Sequence, residues 1–481
     1  MSIASQENIL KVLTAFNPWW KSGAMRSEFS KTYKRFAFYE TMKIMSHENI
    51  RRTVVLTGAR RVGKTTIQYQ IIESLLKSKI APQKIVFVSL DHPLFKLCKL
   101  NEILDCYHAN IYGDEDCYYF LDEVQYATDW DLWVKTIYDT KPLSRMVATG
   151  SASPVLKDKA AESGVGRWTI IQVPTLSFFE YCEMLDLERP DLNANIKPTN
   201  LVRHNKRELT LLMTKLSGLQ KYFHRYLTVG GFPELALAKD DFFAQSIMRE
   251  DVVDKVLKRD IPSLYNVRNS TELERIFLYL CYHSSNIIAV DTIAKELDGV
   301  RRSTVDDYIT YMESANLIYR SFPVEMSGKK VLKARAKIYI ADAAIRNAVL
   351  MDDNLLSDPN QLGITVETAV YKHIAAFYYQ NTTGVGYFRD GKKGHEIDIV
   401  VDYPRGRILI EVKYRENAHI GEGDAIYNLS DEASSSIVVT KRNDDFGIQN
   451  SKGEKKILRL PAFAFLYLLG NAEKHGYRGA K

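Results

Sequence analysis

The residues best suited to chemistry fall into two groups far apart in the chain. The first begins with Gly58-Ala59-Arg60-Arg61-Val62-Gly63-Lys64-Thr65, followed by Thr66. Glycines at this spacing let the backbone curl so that its N–H groups surround phosphate oxygens, and the start of the next helix adds positive potential. Lys64 is placed to reach the β- and γ-phosphates of ATP, and the Thr65 hydroxyl to ligate Mg²⁺. Further on, the apolar run Tyr118–Leu121 ends in Asp122 and Glu123. Asp122 suits the magnesium, through water, and Glu123 suits polarisation of an attacking water, which makes the reaction hydrolysis. The plainer alternative is a pair of acids favoured by a helix N-terminus. Thr149 and Ser151 follow the run Arg145–Ala148 and are candidates for contacting the γ-phosphate, although hydroxyls also serve turns locally. Charge on the transferred phosphoryl calls for a cation. Arg167 and Arg259 are the candidates, each also readable as an ordinary surface arginine.

The second group lies in Tyr387–Lys413. His395–Val401 and Arg407–Lys413 both have strand character, joined by a turn over Asp402–Gly406. Alternation puts Glu396, Asp398 and Val400 on one face of the first strand, and Glu411 and Lys413 on one face of the second. The hairpin is expected to converge Asp398, Glu411 and Lys413, with Glu367 approaching from a helix over Gly363–Phe377. Asp398 and Glu411 are hard oxygen donors suited to Mg²⁺ or Mn²⁺. Such a metal would activate water, with Lys413 orienting it or neutralising charge. The alternative is a surface hairpin with cross-strand ion pairs. Against it, Val400, Val401, Ile408, Ile410 and Val412 give the strands a buried character, where clustered acids need a cation.

The elements that position these groups follow from patterning. Residues 1–50 are expected to be helical and carry an unusual Asn17-Pro18-Trp19-Trp20. Residues 51–175 alternate strand and helix, with runs at Thr53–Thr57, Lys84–Leu90, Tyr118–Leu121 and Arg145–Ala148 and a helix over Thr65–Lys79. That rhythm is an α/β core with a parallel sheet. Residues 176–275 are expected to form a helical, lid-like region. Residues 276–335 read as a winged helix-turn-helix, with Ile293, Ala294 and Leu297 on one apolar face and Val305, Ile309 and Met312 on the next. Ser303 is the expected N-cap of the second helix. Its Asp306, Asp307 and Glu313 would repel phosphate, with Arg301 and Arg302 only at the entrance, so a packing role competes with a DNA-contacting one. Residues 336–481 return to α/β patterning.

Composition sets the outer bounds. Of 481 residues, 46% are hydrophobic and 26% charged, the balance of a folded globular protein rather than a disordered one. The 65 basic and 59 acidic residues give +6, which neither requires nor forbids nucleic acid. The five scattered cysteines contain no CxxC pair, which argues against a disulfide framework or zinc site and for a reducing cytoplasm. The most apolar stretch, Pro461–Gly470, falls well short of the ~20 residues that span a bilayer, so no membrane partner is expected.

In order along the chain, NPWW (17–20), GARRVGKTT (58–66), FLDEVQ (120–125), ATGSAS (148–153) and GR (166–167) are followed by LSFFEY (176–181), YLTVGGFPE (226–234), VLKRDIP (256–262), EIDIVV (396–401) and EVK (411–413). This series resembles a family of prokaryotic AAA-type ATPases whose C-terminal region looks like a PD-(D/E)xK, restriction-endonuclease-like nuclease. The resemblance implies that Lys64, Thr65, Asp122 and Glu123 serve the ATPase and that Thr149 or Ser151 is the sensor. It implies a nuclease-like set of Glu367, Asp398, Glu411 and Lys413, with Ile397-Asp398 in place of the motif's Pro-Asp, and an arginine near the nucleotide at Arg167, acting in cis or on a neighbour. Two functions stay open. One is an ATPase whose nucleotide state controls a DNA-acting C-terminal domain, with cleavage as one outcome. The other is a nucleotide-dependent switch or scaffold whose nuclease-like fold only binds DNA or protein. A homo-oligomer is compatible with either.

Overall fold

Thr53–Thr57 (β1), Ile85–Ser89 (β2), Tyr118–Asp122 (β3) and Arg145–Gly150 (β4) are buried along nearly their whole length. Strands covered on both faces have no polar side to alternate with, so they appear in the sequence as continuous apolar runs. With Trp168–Gln172 (β5) they form an all-parallel sheet of order β2-β3-β4-β1-β5. The computed structural model describes residues 5–151, 166–297, 300–324, 335–351, 355–378, 384–390, 395–403 and 406–478. The chain divides into two units, Met1–Pro174 and Thr175–Lys481. Among the described residues no helix is long and apolar enough to cross a membrane.

The NPWW element acquires a structural purpose in the first unit. β2 is an edge strand, and its free hydrogen-bonding side is a liability for edge-to-edge pairing. Fully buried Asn17 covers it like a strand: its Nδ2 donates to the Phe87 carbonyl (2.8 Å) and its Oδ1 accepts from the Phe87 N–H (2.7 Å). The Trp19 and Trp20 indoles both donate to the Ile85 carbonyl, at 3.1 and 2.8 Å. Replacing Asn17 with Ala strands the Phe87 N–H and C=O, each at about 1–3 kcal/mol. A loss of about 2–4 kcal/mol in urea unfolding is therefore expected; a change below about 0.5 kcal/mol would show that water serves equally well.

The second unit is built on a mixed sheet. Its strands are Asn286–Ile287 (β6), Ile318–Pro323 (β7), Lys337–Ile340 (β8), Gly384–Arg389 (β9), Glu396–Tyr403 (β10), Gly406–Lys413 (β11), Ser435–Thr440 (β12), Gly447–Asn450 (β13) and Lys456–Pro461 (β14). Their order is β13-β14-β12-β11-β10-β9-β7-β8-β6. Helices Ser270–Tyr282, Val290–Glu296 and Arg302–Ser314 precede β7, which pairs antiparallel with β8 and parallel with β9. The segment expected to be a separate helix-turn-helix thus shares one sheet with the C-terminal strands. The helix at 302 is preceded by Arg301 in the N-cap position with no side-chain cap, so Ser303 lies inside the first turn rather than capping it.

A buried polar hub explains two of the sequence's unassigned motifs. Asp342 Oδ2 accepts from Thr175 Oγ1 (2.6 Å) and the Gly231 N–H (3.1 Å), and its Oδ1 accepts from the Ala344 N–H (3.1 Å). Lys372 donates to the Leu176 carbonyl (2.6 Å) and Tyr226 Oη (2.9 Å), 3.8 Å from Asp342. The neighbouring His373 accepts the Phe178 N–H at Nε2 (2.9 Å), while its Nδ1 faces the Ala369 carbonyl (2.6 Å). Burial and the adjacent Lys372 ammonium hold its pKa well below the usual imidazole range, so it stays neutral. LSFFEY and GGFPE are therefore packing signatures around the helix Pro359–Tyr378.

Candidate functional site

The phosphate loop lies between β1 and the helix Lys64–Lys77. At Gly58 a Cβ would sit 2.2 Å from the Val173 carbonyl oxygen, so only glycine fits beside the strand extension. Gly63 caps the helix with φ of +93°, which an L side chain rarely adopts. Lys64 is 5% exposed, and its ammonium is held by the carbonyls of Gly58 (2.9 Å) and Ala59 (2.8 Å). The ammonium thus already lies against the loop that a triphosphate would fill. Ala59 and Val62 are buried, Arg60 donates to Tyr126 Oη (3.2 Å), and Arg61 has φ of +61°.

The carboxylates arrive at the C-terminal ends of parallel strands, where open α/β sheets bind ligands. Thr65 Oγ1 lies 3.0 Å from both oxygens of Asp122. Thr149 Oγ1 donates to Asp122 Oδ1 (2.5 Å) and accepts from the Glu123 N–H (3.0 Å). Burial, and then the neighbouring Glu123 charge, push the Asp122 pKa up to about 7. A hydroxyl and a hard carboxylate in contact, with excess negative charge, fit Mg²⁺ completed by phosphate and water. Thr65 and Asp122 are the residues that would hold it. Glu123 adopts a left-handed conformation (φ +54°, ψ +50°) and is held by Ser151 (3.3 Å) and Gln125. Thr66 is half-buried in the helix's first turn.

Arg167 is not where a cis arginine must be. The Thr53 N–H donates to its carbonyl (2.9 Å), which places it at the start of β1, while the phosphate loop leaves the end of that strand. Five residues of strand separate the two by roughly 15 Å. Its guanidinium instead pairs with Asp139 at 3.0 Å. Arg259 is exposed on the helical segment Val256–Asp260 of the second unit.

In the second unit the expected acids do come together. β10 and β11 pair antiparallel with Ile399 opposite Ile410, so Asp398 stands across from Glu411, and Glu367 arrives from the helix Pro359–Tyr378. A register shift against β9 between Ile397 and Val400 interrupts simple alternation and brings Ile397 into the apolar core with Val400 and Leu409. Lys413 turns mainly to Asp424 (2.5 Å), with Glu411 at 3.8 Å. The centre of the cluster is taken by a residue the sequence analysis did not single out. Lys337, on β8, places its ammonium 2.8 Å from Glu367, 3.0 Å from Glu396 and 3.2 Å from Asp398, with its side chain 4% exposed.

The remaining acid oxygens are constrained. Tyr339 Oη donates to Glu367 (2.9 Å), the Val412 N–H donates to Asp398 Oδ2 (2.9 Å), and Glu411 Oε2 is buried without a hydrogen-bond partner. Burial, and then the Asp398 charge, raise the Glu367 pKa to about 7 and push Glu411 well above the carboxylate range. The donor chemistry is that of a hard cation, but an ammonium fills its place. Among the described residues no group of three or more His, Cys, Asp or Glu is arranged to hold a metal ion. As arranged, the space among Glu367, Glu396 and Asp398 does not fit Mg²⁺ or Mn²⁺, because the Lys337 ammonium fills it.

Other residues important to these sites were not distinguished in sequence. Arg35 donates to the Val62 carbonyl (2.9 Å) and the Pro174 carbonyl (2.7 Å), bracing the phosphate loop from outside the motif. Gln125 lies within FLDEVQ, so its closeness to Glu123 was the available signal. Nothing in the local pattern around Lys337 marks it.

Comparison with known proteins agrees with the first site. Residues 50–182 match the AAA domain family. Residues 220–356 and 362–463 match two domains of unknown function, DUF8612 and DUF4143. An uncharacterized protein of Methanocaldococcus jannaschii is 25% identical over 372 residues, 76% of this chain and 75% of that protein. An uncharacterized Mycobacterium tuberculosis protein is 21% identical over 364 residues, covering 75% and 70%. Among solved structures, the Aeropyrum pernix ORC1 protein in complex with DNA aligns with 70% of this chain and 97% of that one, at 11% identity and a TM-score of 0.31. AMPPCP-bound DnaA from Aquifex aeolicus aligns with 59% and 89%, at 15% identity and 0.25. These structural overlaps are too weak to bear on function. The parallel sheet, the phosphate-loop geometry and the family match over residues 50–182 give the first unit a P-loop AAA-type fold, the fold of a nucleotide-binding ATPase.

Proposed function

We propose that the protein binds and hydrolyses ATP and acts as a nucleotide-dependent switch whose nuclease-like second unit binds a partner without cutting it. The ATPase reading rests on Lys64, Thr65, Asp122, Glu123 and Thr149 meeting at one strand-end site. Lys64 and the loop N–H groups bind the triphosphate; Thr65 and Asp122 would hold Mg²⁺, which would supply neutralisation of phosphate charge. Glu123 orients and deprotonates water. The non-cutting reading, one of the two the sequence leaves open, is favoured by Lys337 at the centre of the acid cluster. DNA is the proposed partner, although the face at 302–314 is poorly suited to phosphate: Arg302 lies 3.5 Å from Asp291 and 4.0 Å from Asp306.

Lys64→Ala is expected to weaken a fluorescent ATP analogue about 100-fold or more, since charged hydrogen bonds contribute about 1.5–3 kcal/mol each. Native affinity in that variant would refute the assignment of the site. For the second unit, Mg²⁺-dependent cleavage of plasmid, single-stranded and branched DNA is compared between the native protein and Asp398→Ala. Equal activity on every substrate supports a binding module; cleavage that depends on Asp398 overturns it.

A further inference from the structure

We propose that Lys337 is the resident cation of the Glu367–Glu396–Asp398 cluster, and that its ammonium excludes a divalent ion from a site otherwise equipped to bind one. This deepens the non-cutting reading of the second unit and rests on it. Three carboxylates from different elements, the helix Pro359–Tyr378 and β10, converge on one nitrogen at 2.8–3.2 Å. Acids buried this closely repel one another unless a positive charge stands between them. The lysine comes from β8, a strand joined to β7 and β6 rather than to the hairpin that carries Asp398 and Glu411. Its side chain is buried, although that of Glu396, one of its three partners, is 32% exposed. Oxygen ligands hold Mg²⁺ or Mn²⁺ at about 2.0–2.2 Å, and a divalent ion at that centre overlaps the ammonium. Two cations cannot share the space.

The test counts Mn²⁺ bound to nucleotide-free, full-length protein by electron paramagnetic resonance. Any binding at the phosphate loop is common to all variants. Native protein and Asp398→Asn are expected to bind the same number of ions. Lys337→Met is expected to gain one equivalent, at least tenfold tighter than any Mn²⁺ binding native protein shows at the cluster. That equivalent should vanish in Lys337→Met/Asp398→Asn and be absent in Lys337→Arg, which keeps the charge. Mn²⁺ should also raise the melting temperature of Lys337→Met and not that of native protein through this cluster.

Native protein that loses a bound Mn²⁺ on Asp398→Asn overturns the proposal, and that comparison stands even if Lys337→Met fails to fold. A folded Lys337→Met with no added ion overturns it too. DNA cleavage by native protein without cluster-bound Mn²⁺ would instead refute the non-cutting reading and leave the lysine's occupancy intact.

Discussion

Glu123→Gln is expected to slow ATP turnover by about 10²–10⁴-fold, the range general-base catalysis contributes, while ATP affinity stays within about threefold of native. Glutamine keeps the size and the contacts to Gln125 and Ser151 but cannot take a proton. Lys64 and Thr65 remain to bind triphosphate and metal, so binding and hydrolysis separate. Steady-state phosphate release alongside equilibrium nucleotide titration measures both. Turnover within threefold of native would remove Glu123 from the base role. A parallel loss of affinity would mean that the substitution disturbed the loop, because the Glu123 N–H is tied through Thr149 to Asp122.

Asp342→Ala should destabilise the second unit by about 3–5 kcal/mol, the cost of removing one partner from a buried charged network. The carboxylate is 3% exposed and serves Thr175, the Gly231 N–H, the Ala344 N–H and nearby Lys372. Without it, two backbone donors and an ammonium are left in the interior. Asp342→Asn keeps one acceptor oxygen, enough for either the Gly231 or the Ala344 N–H but not both, and removes the charge, so it should fall between native and alanine. Denaturant unfolding followed by fluorescence would read the series. A loss below about 1 kcal/mol for alanine would mean that water replaces the carboxylate and that the hub is dispensable.

The phosphate loop was legible because its parts are contiguous: glycine spacing, lysine and threonine at the loop end, and a strand and helix on either side. Asp122 was legible for a similar reason, since an apolar run ending in acids is a local pattern. The hairpin acids were legible through period-two alternation, and they do meet. Alternation is interrupted between Ile397 and Val400 because a register irregularity carries no reliable mark in one sequence. Arg167 was legible as a candidate cation, but its place in the sheet was not. Its neighbours in sequence pointed towards the nucleotide, but the parallel pairing of β5 with β1 carries it to the opposite end of the sheet, against Asp139.

By itself, then, the sequence determined where the phosphate loop lies and which acids gather in the second unit, because both depend on spacing along a short stretch of chain. Only the tertiary structure decided what those acids surround. Lys337 lies 59 and 61 residues before Glu396 and Asp398, and it reaches them because β8 joins the same sheet by way of β7 and β9. Asn17 likewise meets Phe87 across 70 residues. Such pairings are set by sheet order and burial, which bring together groups that no local periodicity relates.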